Sequence, residues 1–349
     1  MNDHETTNKE QGLNDLFNEN NSNQTYDKII KKAKLISTLR TICITIIVVL
    51  ILFVVLGFSW LSLMRWNQEK AMKDVELFNQ ITRPNVEELG PEFIGRDLFN
   101  GTLSYNRYKE IEGTPVNWSD QVFNYSIFGG VRSVEGDRQF QMTDRRDGQN
   151  RSYDEETKQR MMQFYHPSVD YDYVRNDLNN LKDYPSETLM EMGLSFDRSY
   201  TPNEVREFLP NNITLKWYWA DTYTDVERIK GGEVTVENSD KTEVLPSLPE
   251  ISTYIYGFDH IFTNEDESEK NEERFIESIK AGLNNEGGKY YEEYDRIYMY
   301  LKGEHSNISP QDIKVLGVVV TGSAGELTEL MNVKEIRAAE LGVTIDPNK

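Results

Sequence analysis

Four histidines are the side chains of this sequence best suited to acid–base or metal chemistry, at positions 4, 166, 260 and 305. No two of them have the spacing of a metal-binding pair. His166, within Tyr165-His166-Pro167, is the best candidate for a chemical role. A histidine before proline at the end of a helix more often holds a turn than performs catalysis. We therefore predict that the imidazole of His166 is structural.

Three other features resemble catalytic or metal sites, and each favours a simpler explanation. Ser323 lies in Gly-Ser-Ala-Gly, which lacks the spacing of the Gly-x-Ser-x-Gly nucleophile turn, and its hydroxyl can cap a helix. The acidic residues between Glu265 and Glu273 lack the glycine and alternating ligands of a calcium loop, which favours a solvated helix start. Cys43 is the single cysteine, so no intrachain disulfide or thiolate metal cluster can form. We predict no catalytic residue, no metal and no cofactor.

An uncharged, apolar stretch over residues 42–64 dominates the organisation of the chain. As a helix it spans ~34 Å at ~1.5 Å per residue, enough to cross a hydrocarbon core of about 30 Å. A long polar segment precedes it and no signal-peptide cleavage site follows it, so we expect it to be retained. The prediction is a transmembrane helix over residues 41–64, with interface anchors at Arg40, Trp60, Arg65 and Trp66.

Charge is distributed unevenly around this span. Five basic residues lie just before it and three lie just after it, so the positive-inside rule places the N-terminus in the cytoplasm. Residues 1–40 hold six basic and six acidic side chains, so the net charge of −21 lies wholly on the other side. A domain with that charge is repelled by nucleic acid, which argues against DNA or RNA binding. We therefore predict a single-pass protein of the cell membrane with a large extracytoplasmic domain.

The cytoplasmic tail, residues 1–40, contains one segment with helical periodicity. Tyr26, Ile29, Ile30 and Ala33 share one face of the predicted helix, and three lysines occupy the other face. Two interpretations fit this pattern. The helix lies on anionic lipid through its lysines, or it docks on a partner protein through its apolar face. The sequence alone favours the lipid-bound helix, and the docking helix is the sharper hypothesis.

Beyond the span, residues 85–150 predict short strands and loops, and the remainder predicts helices and strands in alternation. The predicted helices cover residues 69–82, 154–164, 176–182, 202–209, 272–283, 290–301 and 324–331, and the predicted strands cover 190–196, 213–223 and 315–321. Thr201 and Ser323 begin capping boxes. The order of elements predicts an α+β domain with helices packed on a sheet, with α/β as the alternative.

Alternating aromatic residues mark the strand at 213–223. Trp217 and Trp219 share one of its faces, and Asp221 ends that face. These two indoles and Trp118 could line a ligand groove. Aromatic residues that alternate along a strand are more often core, so we predict that they are buried.

Several separated motifs occur in a fixed order along the chain. They are Phe164-Tyr165-His166-Pro167, Asn176-Asp177-Leu178, Ser195-Phe196-Asp197, Trp217-Tyr218-Trp219-Ala220-Asp221-Thr222-Tyr223 and Gly317-Val318-Val319-Val320-Thr321-Gly322. Lys31-Lys32-Ala33-Lys34 precedes the span, and Glu112-Gly113-Thr114-Pro115-Val116 follows it. From about Tyr26 to about Val343 the chain resembles the sigma factor regulator family of Gram-positive bacteria.

This resemblance implies a membrane-bound anti-sigma factor. Its cytoplasmic segment would hold an extracytoplasmic-function sigma factor, and its outer domain would sense the state of the envelope, with a helper membrane protein or an envelope ligand as a further partner. We divide the outer part into a membrane-proximal region, residues 65–160, and a C-terminal domain, residues 161–345. The tail lacks the His-Cys-Cys signature of zinc-containing anti-sigma domains. The alternative function is a membrane-anchored envelope binding protein without a sigma-factor partner.

Overall fold

The structure is a computed structural model that describes residues 19–145, 147–235, 242–261 and 270–347. It contains two compact units, Met1–Leu63 and Met64–Lys349. Most of the acidic run that begins at Glu265 lies outside the described residues. Helix α1, Glu19–Asn79, begins in the first unit and ends in the second. Among the described residues, this is the one helix long and apolar enough to cross a membrane.

The first unit consists, over its described residues, of α1 alone. Side chains at positions 25–59 are exposed on every face of the helix, although residues 42–59 are almost entirely apolar. An apolar helix of this length without protein around it is suited to lipid, because its backbone hydrogen bonds are all satisfied internally. The segment predicted as the span is therefore helical throughout and can serve as a single transmembrane anchor.

The second unit is rich in β-structure. Its strands are β1 Glu87–Glu88, β2 Glu92–Arg96, β3 Asn100–Ile111, β4 Thr114–Ser126, β5 Val131–Glu135, β6 Gln139–Thr143, β7 Asn150–Asp154, β8 Gln163–Phe164, β9 Leu189–Tyr200, β10 Thr214–Ala220, β11 Gly232–Thr235, β12 Thr242–Leu245, β13 Glu250–Ile251, β14 Gly257–Asp259, β15 Val315–Ser323 and β16 Ile336–Ile345. The sheet that follows α1 in the sequence, which we call the membrane-proximal sheet for that reason, has the order β1-β3-β4-β5, with β2 also paired to β3. The central sheet has the order β14-β10-β15-β9-β16. Three two-stranded ladders join β6 to β7, β8 to β13 and β11 to β12.

Short helices complete the second unit. They are α2 Pro202–Phe208, α3 Lys270–Leu283, α4 Tyr291–Lys302 and α5 Ala324–Leu327, together with short 3-10 turns that include Asp177–Asp183 and Thr328–Asn332. Every ladder between these strands is antiparallel. Antiparallel ladders with separate helices define the α+β class. The α+β prediction is therefore confirmed, and the α/β alternative is wrong.

The central sheet is buried on both faces. On one face Tyr218 and Val318 pack with Phe275 and other residues of the helices in the largest apolar cluster. On the other face Trp217 packs with Phe164 in a second cluster. Alternation of side chains along β10 produces this division, because successive residues of a strand point to opposite faces. The sequence pattern predicted the shared face of Trp217 and Trp219, and both residues lie in the second cluster.

Several predicted elements agree with the structure to within a few residues. Strands β9 and β15 contain the predicted segments, and α3 and α4 begin and end within two residues of the predicted helices. Both capping boxes form. Thr201 donates its backbone N–H to Glu204 Oε2 at 2.7 Å, and its hydroxyl oxygen accepts from the backbone N–H of Glu204 at 3.2 Å.

Four sequence predictions need correction. No helix covers residues 154–164, because Asp154 closes a turn by accepting from the N–H groups of Glu156 and Thr157, and Lys158 has a φ of 62° that an α-helix does not allow. Residues 85–150 contain two long strands, β3 and β4, of 12 and 13 residues. Residues 176–182 form a 3-10 turn rather than an α-helix, and α5 ends at Leu327 before continuing as a 3-10 turn. Strand β16 was not predicted.

Candidate functional site

The predicted partner-binding face lies on the first part of α1. Tyr26, Ile29 and Ile30 are 65, 58 and 49 % exposed. Ala33 is also exposed and continues this face by one further turn. Because α1 is unbroken here, the four side chains form a single stripe along the helix. The helical periodicity predicted for the tail is confirmed, and its role in partner binding stays a prediction.

The predicted membrane anchors lie near the two ends of the apolar segment on the same helix. Arg40, Arg65 and Trp66 are exposed, and Trp60 is half-buried. Indole rings and long basic side chains at helix ends are typical of the level at which hydrocarbon meets headgroups. Their contact with a membrane interface stays a prediction.

From Met64 onward, α1 is enclosed by the second unit. Met64, Ala71 and Val75 are fully or almost fully buried. Asn67 donates from Nδ2 to the carbonyl oxygen of Ile127 at 2.8 Å. This part of α1 is therefore part of the domain rather than a linker, and we refer to residues 64–79 as the helix root.

Two contacts hold the end of the helix root against the segment that leads into α4. The Asp74 carboxylate accepts from the side-chain amide of Asn285 and from the backbone N–H of Lys289, the latter at 3.1 Å. The ring of Phe78 stacks on Tyr290 with 3.7 Å between centroids. The sequence predicted a helix at 69–82 but gave no signal for these partners, which are about 200 residues away in the sequence.

The predicted aromatic residues of β10 lie in the core. Trp217 and Trp219 are 1 and 0 % exposed and pack around Phe164, whose ring meets Trp219 edge-on at 5.3 Å between centroids. Trp118 is also buried, in a separate cluster. The core prediction is therefore confirmed, and the three indoles line no ligand groove.

His166 is buried and its ring is held by neighbours. Its Nδ1 accepts from the backbone N–H of Ser168 at 3.1 Å, and its ring lies edge-on to Tyr223 at 4.8 Å. Burial, with smaller effects from Arg337 and Lys230, lowers the pKa of His166 from 6.5 to about 4. The imidazole is therefore neutral near pH 7 and accepts a hydrogen bond within the turn that contains Pro167. This is the structural role that the sequence predicted, although the described residues directly before the turn form no helix.

The remaining motif residues are distributed around the central sheet. Tyr165 donates its backbone N–H to Ser195 Oγ at 2.9 Å, and the carbonyl of Pro167 accepts from Arg337 at 3.0 Å. Gly322 lies in β15, opposite Met190 of β9. The motif therefore marks positions that build the sheet, and the structure does not gather them into one catalytic site.

Two motif residues, Asp221 and Thr321, make polar contacts with other elements. Burial raises the pKa of Asp221, whose Oδ1 accepts from the hydroxyl of Tyr300 at 2.9 Å. The hydroxyl of Thr321 donates to Glu112 Oε1 at 2.6 Å, which ties β15 to the turn of the β3–β4 hairpin.

A buried ion pair that the sequence did not reveal joins the two sheets. Lys109 on β3 and Glu191 on β9 have side chains 1 and 0 % exposed, with Nζ and Oε2 2.8 Å apart. Asn85 Nδ2 also donates to Glu191 Oε1 at 2.8 Å, and Lys109 lies 4.3 Å from the ring centroid of Trp118. This pair fixes the membrane-proximal sheet against the central sheet.

A second buried charge cluster holds β16. Glu340 is fully buried and accepts from Arg160 at 2.8 Å and from Arg175 at 2.6 Å. Arg160 also pairs with Asp177. The carboxylates pair with guanidinium groups that are largely or fully buried, which explains why this polar cluster can lie inside the fold. Asp177 belongs to the motif Asn176-Asp177-Leu178, whereas Glu340 lies on β16, a strand that was not predicted.

An open cleft lies beside the end of β10, after the aromatic motif. Arg296 on its wall is fixed in place, because it donates to Glu293 Oε1 at 2.6 Å and to the carbonyl of Thr222 at 2.5 Å. Burial raises the pKa of Glu250. Rings and fixed polar groups together can stack on and hydrogen-bond a polar ligand. The lining residues include Tyr223, Arg228, Glu250, Tyr254, Tyr256, Glu293 and Arg296.

Within the part of the chain that the structure describes, no three His, Cys, Asp or Glu side chains are arranged to hold a metal ion.

The comparisons with known proteins point to one family. The family model described as sigma factor regulator N-terminal matches residues 27–116, and the model described as sigma factor regulator C-terminal matches residues 181–343. No curated protein and no solved structure matches the chain significantly.

The two matches fit the contacts within the structure. The N-terminal match contains Ile29, Ile30 and Ala33 of the exposed stripe, the helix root and Lys109. The C-terminal match contains Glu191 and all of the central sheet except the last two residues of β16. The Lys109–Glu191 pair thus joins the two regions that the family models define. Since the two models together cover most of the chain in the order their descriptions require, this protein belongs to the sigma factor regulator family of anti-sigma factors.

Proposed function

We propose that this protein is a single-pass membrane anti-sigma factor whose tail, residues 1–40, sequesters an extracytoplasmic-function sigma factor. The observation that carries the proposal is the exposed apolar stripe of Tyr26, Ile29, Ile30 and Ala33 in a chain of this family. A sigma factor whose polymerase-binding surface is covered by the tail cannot start transcription. The fraction released depends on how far a signal weakens that contact.

The continuity of α1 favours a docking helix over a lipid-bound one. The helix has no break between Tyr26 and the apolar segment that begins at Ile42. At ~1.5 Å per residue, Tyr26 lies ~24 Å along the axis from the start of that segment. A helix that continues unbroken out of the membrane carries its first part into the aqueous phase instead of along the headgroups. The apolar stripe is then available to a soluble partner.

The orientation in this proposal follows from charge. The basic residues that precede the span outnumber those that follow it, which favours a cytoplasmic N-terminus and an extracytoplasmic second unit. A sigma factor is cytoplasmic, so only this orientation allows the tail to reach it.

We further propose that the outer unit senses the envelope through the cleft beside β10. Tyr256 of the cleft wall lies edge-on to Phe78 of the helix root, with 6.1 Å between ring centroids. Phe78 also stacks on Tyr290, at the start of the helix that carries Arg296. A ligand that moves Tyr256 or Arg296 therefore acts on side chains that touch the root directly. This contact gives an envelope ligand a short path to the membrane helix.

A bacterial two-hybrid experiment tests the proposal. Residues 1–40 are used as bait against each extracytoplasmic-function sigma factor of the cell, and we expect at least one to interact. The matched control is the same bait with Ile29→Asp and Ile30→Asp, which should be silent with that sigma factor. If the unchanged tail recognises none of them, the proposal fails and the envelope binding protein becomes the better hypothesis.

A further inference from the structure

The membrane-proximal sheet displays a group of large apolar side chains that the proposed function does not use. Phe128 is 85 % exposed and Phe99 is 53 % exposed, at the tips of two neighbouring loops. Exposed apolar patches of this kind on a soluble unit mark contacts with a membrane or a protein. We call this group the tip patch, and its members are Phe93, Ile94, Leu98, Phe99 and Phe128.

The tip patch is presented by ordered backbone. Asp97 Oδ1 accepts from the N–H groups of Phe99 and Asn100 at 2.7 and 2.6 Å. The backbone N–H of Ile127 donates to the carbonyl of Phe99 at 2.7 Å, and the rings of Phe99 and Phe128 stack with 6.0 Å between centroids. The stacked rings of Phe99 and Phe128 therefore join the two tips into one apolar surface, and the other members of the tip patch lie on or directly after β2.

Hydrogen bonds tie this surface to the start of the helix root. Asn67 donates to the carbonyl of Ile127, the residue before Phe128. Gln68 Oε1 accepts from the hydroxyl of Tyr125 and from Arg96, both at 3.0 Å. Both loops of the tip patch are thus fixed at the level of residues 67–68.

That level corresponds to the headgroup layer. Gln68 follows Met64, the last residue of the uncharged segment, by ~6 Å along the helix axis at ~1.5 Å per residue. The polar layer on each side of the hydrocarbon core is about 5–8 Å thick, since a bilayer of about 40–45 Å contains a core of about 30 Å. A surface fixed at this depth meets lipid before it meets any soluble partner.

We infer that the tip patch inserts into the headgroup–acyl boundary of the leaflet that the second unit faces. The inference rests on the anchoring by α1 in the proposed function, and it adds a second contact with the membrane. Insertion of this surface fixes the orientation of the second unit on the bilayer. Residues beside the tip patch, namely Arg96, Tyr125 and Ile127, are hydrogen-bonded to Asn67 and Gln68. A change in the bilayer surface that moves the tip patch therefore reaches the helix root directly.

Depth-dependent quenching tests this inference on the full chain. The chain is reconstituted in vesicles of phosphatidylcholine and phosphatidylglycerol without other protein, and an environment-sensitive fluorophore is attached to one cysteine at a time. Phe128→Cys and Leu98→Cys, each with Cys43→Ser, probe the tip patch. Met331→Cys with Cys43→Ser is the matched control, because Met331 is also an exposed apolar side chain of the second unit. Native Cys43, labelled in the unchanged chain, tests the anchoring separately.

We expect the labels at positions 128 and 98 to be quenched at least several-fold more by lipid-borne nitroxides than the label at 331, and less by aqueous iodide. If the label at 43 is lipid-quenched while those at 128 and 98 are as accessible to iodide as the control, the inference is wrong and the anchoring stands. Accessibility of all labels, including 43, would overturn both. If the labels at 128 and 98 lose their protection from iodide when each vesicle holds one chain, the tip patch contacts a second copy and the inference is wrong. If these labels are protected only in native membranes, the tip patch contacts another protein and the inference is also wrong. Sigma-factor binding is not measured, so failure of that part of the proposed function leaves this result readable.

Discussion

Glu191 is buried away from water, and protein donors fill almost all of the hydrogen-bonding capacity of its carboxylate. Lys109 Nζ donates to both of its oxygens at 2.9 and 2.8 Å, Asn85 donates at 2.8 Å, and the backbone N–H of Val343 donates at 3.3 Å. These donors come from three separate parts of the chain. A buried charge with so many fixed donors is satisfied in only one arrangement of those parts, so it specifies how the two sheets meet.

Removing the cation from this pair should destabilise the fold strongly. Lys109→Met keeps much of the side-chain length but leaves the Glu191 charge buried without its partner, which costs about 3–5 kcal/mol. The free energy of unfolding is measured by urea titration of the full chain in detergent, followed by tryptophan fluorescence. Lys230→Met is the control, because the Lys230–Glu227 pair is exposed and should contribute about 0–1 kcal/mol. Equal effects of the two substitutions would contradict this account of the pair.

His166 should make the stability of the fold depend on pH. Burial, followed by Arg337 and Lys230, lowers its pKa from 6.5 to about 4, so between these values the unfolded chain binds a proton that the folded chain does not. The stability due to neutral His166 is complete above pH 6.5 and is lost as the pH falls toward 4. The loss amounts to at most about 3 kcal/mol.

The variant His166→Gln should therefore lose less unfolding free energy than the unchanged protein between pH 7 and pH 4.5. His305→Gln is the matched control, because it makes the same substitution at an exposed histidine. Parallel stability curves for the unchanged protein and His166→Gln would show that the imidazole is not held in its neutral form.

Among the elements, those with strong local signals were predictable from sequence. Capping boxes at Thr201 and Ser323, and the apolar alternation of β10, depend on residues within a few positions of one another. The helix at residues 154–164 was predicted for a similar local reason and is wrong. The Asp154 carboxylate accepts from the backbone N–H groups of Glu156 and Thr157 and closes a turn. An aspartate at the start of a helix makes the same kind of bond, so the sequence does not distinguish the two structures.

The elements that sequence did not reveal depend on distant partners. Strand β16 contains Ala338, Ala339 and Glu340, which favour helices, and it becomes a strand because it pairs with β9. Strand β3 buries Arg107 and Lys109, so its alternation does not follow polarity. Dependence on distant partners also explains which parts of the candidate site could be predicted. The helical stripe of the tail was readable locally, whereas the cleft and the buried ion pair require the folded sheet.

The contact between α3 and α4 offers a test at the level of elements. A Cβ atom on Gly282 of α3 would overlap the ring of Tyr294 on α4, which is buried. Gly282→Ala should therefore destabilise the protein by about 1–3 kcal/mol, although alanine normally favours a helix by about 1 kcal/mol over glycine. Gly90→Ala is the control, because its Cβ would meet open space. The urea titration described above measures both, and a stabilised Gly282→Ala variant would contradict the close packing.

At the scale of the whole molecule, the membrane-proximal sheet and the central sheet of the second unit are joined by a buried ion pair, and the helix root packs within the same unit. Asp74 and Phe78 bind the segment that leads into α4, and Lys109 binds Glu191. Movement in the second unit is therefore expected to act on the helix root, which packs within it. For a signal to act in this way, the second unit must have two conformations that place the helix root differently, and the signal must bind one of them more tightly.

The proposed topology can be tested with reporter fusions. A reporter that is active only outside the membrane should be active when fused after Glu76 and inactive when fused after Ser22, because the basic residues before the span retain the tail in the cytoplasm. A cytoplasmic reporter fused at the same two positions is the control and should give the opposite pattern. Activity of the first reporter at both positions, or a soluble mature domain that starts near Arg65, would contradict the topology.

Transcription in cells that carry altered tails tests the central claim most directly. Ile29→Asp with Ile30→Asp should remove about 2–4 kcal/mol of contact with the sigma factor, the effect of losing interface anchors. Replacing Lys28, Lys31 and Lys32 by Gln is the matched control, because it changes the opposite face of the same helix. With equal amounts of both proteins in the membrane, the account predicts that sigma-dependent genes switch on without stress in the isoleucine variant only. Unchanged transcription in that variant, together with a rise in the lysine variant, would contradict it.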